Sequence, residues 1–548
     1  MFAATLSVAL MATASAQAVA FVNVTLVPMD RERVERGRTV VVEGTRIVAI
    51  GATGEVSIPQ GSTVIDGSGR YLAPGLTDAH VHLTTGMPWA LTRPDFGDAP
   101  IYLAYGVTTV VNLAGSPMQL EWRRRIETGE LLGPTIYTSG AFVNEPRVAT
   151  PDDVRRDIMA QARDGYDLIK FHELDRTTTG LSRAAYAAMI ETAREQGLPL
   201  VGHAPVNLGV DTWLQARQSV AHVGMLSNIY FFPLSGNARL LTATATALFV
   251  LLLTAVMRGV AARVGRWVLL AGVLAFVSGA SFLPGGPLFD SLALRVAFTA
   301  LAIIIAAAAV VLVVLSARTW RDSRASSLAR VQGAVVTIAS LTLACTLMIV
   351  WVPVAWRSSD SGIARLAKRV HEAGISVQST LVVYETFSAA GTAALMDDPA
   401  VNVLRAETRD GWRTLPRSGV PFSRLGGFMQ KVTAALHREG VPIVAGTDAM
   451  GIALVAPGSS LHRELALLMK SGLTPYEAMR AATVAPAVFL MKAGEFGTIA
   501  VGRRADLLLV GENPLQNLAT LKQPIGVMVR GRWLTRERLQ QLLASLAE

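Results

Sequence analysis

The chain has a single cysteine, Cys345, in 548 residues, and it lies inside an apolar run. That scarcity excludes an intrachain disulfide and any cysteine-type zinc site. A metal would have to be held by histidine, carboxylate or a less usual donor. Charge is also scarce, at 17% of residues against 51% hydrophobic. Such a balance is too apolar for an ordinary soluble protein and too polar for one that is mostly membrane, so a mixed architecture is expected. The length allows two or three domains. Formal net charge is +9, but much of the excess is arginine set between apolar runs, as in RGVAARVGR and SARTWRDSRASSLAR. No basic stripe interleaved with exposed aromatics is present, so no nucleic-acid partner is expected.

What the chain does have is length in its apolar runs. They cover residues 240–257, 267–289, 296–317 and 331–356, each near the roughly 20 residues a helix needs to cross a bilayer. Pro284 and Pro287 cut the second one short. We expect a four-helix transmembrane insertion over 230–357. Arg258, Arg263 and Arg266 lie between the first two runs, and Arg318, Arg321, Arg324 and Arg330 between the last two. The middle loop offers only Asp290 and Arg295. The positive-inside rule puts the two arginine-rich loops in the cytoplasm, and Arg239 and Arg357 flank the block on the other side. Residues 1–18, MFAATLSVALMATASAQA, resemble a secretory signal peptide without the usual basic start. The expected place is a bacterial-type inner (plasma) membrane, multi-pass, with membrane lipid as a partner and the soluble part on the outer, periplasmic side.

The remainder alternates short β-type runs with helical ones. LTDAHVHL, VTTVVNLA, TIYTSGA, YDLIKFH, LPLVGHA, SVAHVG, ISVQSTLV and VPIVAGTDA read as eight strands. They predict an α/β fold, a (β/α)8 TIM barrel over 72–229 and 358–496. Residues 19–71 and 497–548 predict a composite β-domain, a small β-sandwich built from both chain ends. The insertion then falls in the loop after strand six, on the catalytic face of such a barrel. An even number of spans is required, because strands seven and eight must return to the side of strands one to six.

Polar residues gather at the C-terminal ends of these strands. His80 and His82 close the first, Lys170 nearly closes the fourth, and His203, His222 and Asp448 close the fifth, sixth and eighth. Residues i and i+2 of a strand share a face, so His80 and His82 point together into the barrel mouth. Imidazoles opposite a carboxylate make a site for zinc or a similar divalent ion. Lys170 cannot bind a cation as an ammonium. Buried in an apolar strand it is expected to lose its proton, and the neutral amine can then react with carbon dioxide to give a carbamate that offers two oxygens. His172 shares a face with Lys170 as a supporting or structural residue, whereas His371, His437 and His462 lie on helical stretches as surface or packing histidines.

The ordered motifs TDAHVHL, DLIKFH, VGHA, VAHVG and GTDA resemble the amidohydrolase superfamily. PGLTDAHVHL and the tail from HRELALLMKSGLTPYEAMRAATVAPA to GTIAVGRRADLLLVGENPL are most similar to its imidazolonepropionase-like members, which include metal-dependent dipeptidases. The resemblance spans nearly all of the chain outside 1–18 and 230–357. It implies two divalent metal ions, with zinc expected. His80 and His82 would bind one and His203 and His222 the other. An N-carboxylated Lys170 would bridge them, and Asp448 would bind metal and shuttle a proton. It also implies hydrolysis of a C–N bond in a small amide, cyclic amide or peptide, with an amphiphilic substrate in view if the barrel mouth faces the bilayer. Many members carry Glu before the sixth-strand histidine, where this chain has Ala221, and the apolar block is not part of the usual pattern. The alternative is a catalytically inactive metal-binding receptor or sensor coupled to the membrane helices, disfavoured by the intact ligand set.

Overall fold

The structure, a computed structural model, describes residues 17–83, 96–172, 180–232, 246–254, 257, 260–279, 291–389, 398–414 and 423–547. The signal-like segment lies almost wholly outside these. Eight parallel strands form the centre: Leu76–Val81, Val107–Asn112, Thr135–Thr138, Ile169–Phe171, Leu200–Gly202, Ser219–Ala221, Val377–Gln378 and Ile443–Val444. Neighbours pair in chain order within two sheets of three and five strands. Parallel bridges Ser139↔Leu168 and Val81↔Ala449 join those sheets at both seams and close the barrel. Helices such as Pro151–Arg163 and Arg183–Glu195 follow the strands; Thr150 and Ser182 cap them by accepting from the N3 backbone amide.

Several strands are shorter than their sequence runs suggest. ISVQSTLV holds only two strand residues: Thr380 takes left-handed backbone (φ +44°), and a helix begins at Leu381. The β-domain boundary also shifts. Tyr71–Pro74, expected to straddle the barrel edge, pairs antiparallel with Leu507–Val510 of the C-terminal segment. With Val19–Leu26, Glu35–Glu43, Arg46–Ala52, Thr63–Asp66, Gly526–Val529 and Arg532–Thr535 it forms one connected eight-stranded sheet, where two separate sheets were expected. The sheet branches at Val19–Leu26, which pairs with Thr63–Asp66 and Tyr71–Pro74 along one edge. Its own core includes Phe21, Val24, Val40, Ile47, Leu507 and Met528. Buried Arg504 ties it to the barrel by donating to Thr109 Oγ1 (2.7 Å) and Tyr137 Oη (3.1 Å) while paired with Asp506.

Between strands six and seven the chain leaves through a π-helical turn, Ser227–Phe231, and returns through helices Val352–Arg357 and Asp360–Glu372. The block between contains long helices Val260–Gly279, Leu292–Arg321 and Ser327–Thr346, and a helical piece at 246–253. Among the described residues two segments, Leu292–Arg321 and Ser327–Arg357, are long and apolar enough to cross a membrane; the expected spans at 240–257 and 267–289 lie partly outside those residues. The second expected span is displaced: the helix found there begins at Val260 and takes in Arg263 and Arg266, and residues 280–290 lie outside the described ones.

Packing fixes the register of these helices. Along Val260–Gly279, a Cβ on Gly265 would meet Val336, one on Gly272 Leu343, and one on Gly279 Trp351. That helix therefore runs parallel to Ser327–Thr346 and antiparallel to Leu292–Arg321. Arg263, Arg266, Arg318, Arg321 and Arg330 consequently share the end remote from the barrel. At the near end Trp356 Nε1 donates to Thr299 Oγ1 (2.9 Å), and Arg357 lies 5.4 Å from the ring of Tyr230 and donates to its carbonyl. The block's entry and exit are thus clipped together. Its outer surface exposes Phe249, Trp267, Leu274, Ile304, Val310 and Ile338, and elsewhere the described residues expose only scattered large apolar side chains such as Val64 and Met491.

Candidate metal centre

The first barrel strand is buried along its whole length. Asp78 accepts from the amide (3.0 Å) and hydroxyl (2.6 Å) of Thr447, and so fastens strand one to the segment after strand eight. The Asp448 amide then donates to the His80 carbonyl (2.7 Å), and the His82 amide to the Ala449 carbonyl (2.9 Å). Gly446 permits this approach, since a Cβ there would sit 2.6 Å from His80 Cβ. Asp448 is left with left-handed backbone, φ +63°. His80, His82 and Asp448 each present one ligand atom, and these atoms all lie within 4.8 Å of one another.

Asp448 is the hub. His82 Nε2 lies 2.9 Å and His80 Nε2 3.5 Å from its Oδ1, and His222 Nε2 is 4.0 Å from its Oδ2. The ring of His222 is 4.4 Å from that of His80, and the ring of His203 is 5.4 Å from that of His222. The structure thus brings the four histidines and Asp448 into one connected group, with His203 on its far side. Lys170 is fully buried and interacts electrostatically with Asp448. His172 packs 4.0 Å from His203 and stacks on Phe142 at 4.5 Å, at the margin of the group. Away from it, His462 is held by the Tyr105 carbonyl (2.8 Å), His437 faces Glu477 and His371 is exposed.

Protonation states follow from burial. Desolvation pushes His80 well below its ordinary value and His222 down to about 4, leaving neutral imidazoles, the form that binds metal. Burial lowers Lys170 to about 7, only partly opposed by the charge of Asp448. Asp448 goes the other way on balance. Burial raises its carboxyl, but the electrostatic interaction with His222 and the hydrogen bond to His82 outweigh it and hold the group below the usual range.

Tautomers follow from partners. The Gln378 amide nitrogen donates to the Ala79 carbonyl (2.8 Å), so its oxygen faces His80 Nδ1 at 3.0 Å as an acceptor. His80 Nδ1 therefore carries the proton and Nε2 a free lone pair. That Nε2 is buried without a hydrogen-bond partner and faces Asp448 Oδ1 at 3.5 Å, an oxygen that His82 Nε2 approaches to 2.9 Å. Two buried acceptors facing each other cost several kcal/mol in the absence of a donor or cation. The donor set, imidazole nitrogen and carboxylate oxygen without sulfur, suits zinc or a similar divalent ion. The residues present therefore fit a metal.

Sequence reading missed the supports: Gln378 at the end of strand seven, Thr380 in the turn that follows, Tyr384 beyond it, and Glu464. Gln378 stands at a strand end like the candidate ligands, and that position was the available signal; the left-handed backbone that aims Thr380 leaves no local pattern. Glu464 is invisible from sequence, because it acts by accepting from Ser379 Oγ and the Val382 amide (2.8 Å) across the turn after strand seven.

Comparison with known proteins agrees with this picture. Residues 340–534, which include strands seven and eight and Asp448, match the amidohydrolase family. The adenine deaminase of Rubrobacter xylanophilus is 29% identical over 153 residues, 25% of this chain and 25% of that one. The adenine deaminase of Mesorhizobium japonicum is 43% identical over 51 residues, 9% and 8% of the two chains. The chain thus matches a quarter or less of the length of these curated relatives. Among solved structures, a bottromycin amidohydrolase superposes with a TM-score of 0.58 at 19% identity, covering 96% of this chain and 90% of that one. A Xaa-Pro dipeptidase with bound methionine gives 0.55 at 16% identity, covering 95% and 100%. These likenesses show the fold.

Proposed function

We propose that the protein is a membrane-anchored, metal-dependent amidohydrolase that cleaves a C–N bond in a small amide, cyclic amide or peptide. The observation that carries this reading is the convergence of His80, His82 and His222 on Asp448, with His80 Nε2 buried and unpartnered where it faces that carboxylate. His80 and His82 would hold one divalent ion and His203 and His222 a second, with Lys170, as its carbamate, between them. Bound there, the ions would supply positive charge that polarises a carbonyl and acidifies water. Asp448 takes the proton of the attacking water and returns it to the leaving nitrogen, a task suited to a carboxylate kept ionised at neutral pH. Gln378 and Thr380 hold the His80 and His222 rings by their Nδ1 atoms, so those rings keep their orientation as charge moves.

Membrane anchoring draws its support from the apolar block. Arg295 at the near end and Arg318 at the far end of one helix are about 35 Å apart at 1.5 Å per residue, close to the roughly 30 Å of a hydrocarbon core. The arginines gather at the far end, as cytoplasmic ends do, which puts the barrel on the outer, periplasmic side of the plasma membrane. The block grows from the loop after strand six, eight residues beyond His222, so the catalytic face lies against the lipid surface. Amphiphilic amides are accordingly the preferred substrates.

The test is a hydrolysis screen of the zinc-loaded protein against Xaa-Pro dipeptides, N-acyl amino acids of graded chain length, lactams and adenine. We expect turnover of an amide that rises with acyl length in vesicles. Asp448→Asn should lose at least a thousandfold in kcat while retaining zinc. Normal rates in that variant would remove the proton shuttle, and a flat chain-length profile would remove the lipid route.

A further inference from the structure

The bond between His222 and Thr380 is one part of a ring of contacts that reaches beyond the reaction scheme. His222 Nδ1 lies 3.0 Å from Thr380 Oγ1, and both residues hold left-handed backbone, at φ +67° and +44°. For a β-branched threonine that backbone is a genuine outlier. Strain of this kind persists only where the surroundings over-determine it. The third member is Tyr384, whose hydroxyl bonds to Thr380 and accepts from the Gly224 amide at 3.1 Å. Gly224 closes the ring. A Cβ there would fall 2.0 Å from Tyr384 Oη, so only glycine lets the backbone approach the phenol this closely.

The ring joins two things otherwise connected only through strand six. One is the imidazole of His222. The other is the chain at Gly224, which enters the π-helical turn Ser227–Phe231 and then the apolar block. Thr380 has one hydroxyl hydrogen. With a cation on His222 Nε2, Nδ1 must carry a proton and donate, so Thr380 accepts from His222 and donates to Tyr384. The ring then has one consistent polarity, and it is anchored on strand seven.

We propose that Thr380 and Tyr384 are positioning residues. They fix His222 in the geometry needed for the second divalent ion, and they lock the exit of strand six against displacement of the apolar block. The first half of this rests on the metal-dependent reading above; the second does not.

The experiment uses the full chain in detergent. Zinc affinity and stoichiometry are measured by competition with a chelating dye for wild type, Thr380→Val, Thr380→Ser and Tyr384→Phe. Hydrogen exchange of the segment containing Gly224 is followed by mass spectrometry. Thr380→Val should weaken one of two zinc sites roughly 10- to 100-fold, the range typical of a lost partner to a metal-bound histidine, and leave the His80–His82 site intact. Thr380→Ser, which keeps the hydroxyl, should restore affinity; a purely steric role would not show that rescue. Tyr384→Phe should raise exchange at Gly224 about tenfold or more. Thr380→Val binding both ions like wild type would overturn the first half, and so would a failed serine rescue. Unchanged exchange in Tyr384→Phe would overturn the second half. A wild type that takes up no zinc would remove the metal-dependent reading and the first half with it, while the exchange result still decides the second.

Discussion

Glu464 gives the sharpest energetic prediction. Its side chain is fully buried, and its carboxylate accepts only from Ser379 Oγ and backbone amides at the start of the Leu381–Ala389 helix. Burial pushes it from an ordinary 4.5 up to about 7. At about 1.4 kcal/mol per tenfold change in proton affinity, that displacement is worth about 3 kcal/mol. The folded chain keeps a proton that the unfolded chain releases, so stability falls as pH rises from about 4.5 through about 7. Glu464→Gln removes the titration and keeps the shape. Near pH 5 the variant should match wild type or fall short by about 1 kcal/mol, the worth of one altered hydrogen bond. At pH 8 it should be the more stable by about 2 kcal/mol. Urea unfolding followed by tryptophan fluorescence at several pH values between 5 and 8 makes the comparison, and taking the difference cancels every other titrating group. A wild-type-minus-variant difference that stays constant across this range would refute the argument. The site has a stake in the outcome, because Glu464 braces the turn flanked by Gln378 and Thr380, the partners of His80 and His222.

Three further outcomes are expected. Gln378→Leu removes the acceptor that sets the His80 tautomer, and should weaken zinc binding 10- to 100-fold in a dye-competition titration with little change in melting temperature. Gly446→Ala drives a Cβ into His80 and the backbone of strand one; it should cost about 1–3 kcal/mol of stability and lower zinc affinity as well, both read on the same purified sample. The full chain should remain with membranes after an alkaline carbonate wash, and a protease added to the outer side should cleave barrel loops before the arginine-bearing turn around Arg324. Release by the wash, or the reverse order of cleavage, would contradict the proposed anchoring or its orientation.

Much of the barrel was legible because its rhythm is local. Each strand run is short, rich in apolar and β-branched residues and followed by a helical stretch, and the histidines, lysine and aspartate of the candidate site stand toward the C-terminal ends of those runs. His80, His82, Lys170, His203, His222 and Asp448 were singled out by that rule, and the family resemblance supplied the roles proposed for them. The rule says where a side chain starts and not what steadies it. Gln378 looked like one more strand residue, because its value lies in a bond to His80, 298 positions earlier. Asp78 and Thr447 were passed over for the same reason. Their mutual bonds set the height of Asp448 against His80, and no local pattern records a contact 369 residues long.

The apolar block shows the opposite failure: its composition was plain and its element boundaries were not. Hydropathy sums over a window, so it registers an apolar stretch and is nearly blind to where a helix starts. The Val260–Gly279 helix begins before the run that announced it, because Arg263 and Arg266 can sit on a helix end as readily as in a loop. Packing resolves the question that composition leaves open. Gly265, Gly272 and Gly279 recur every seven residues and meet Val336, Leu343 and Trp351 in step, which forces the helices into one register and gathers the arginines at one end. Which arginines share an end of the block was therefore readable from charge, whereas span number depends on helix limits that charge does not set. The same register explains why the insertion is compatible with a working barrel. Entry at Tyr230 and exit at Arg357 touch each other, so strands six and seven see the block as a closed loop, and its length can vary without moving His222.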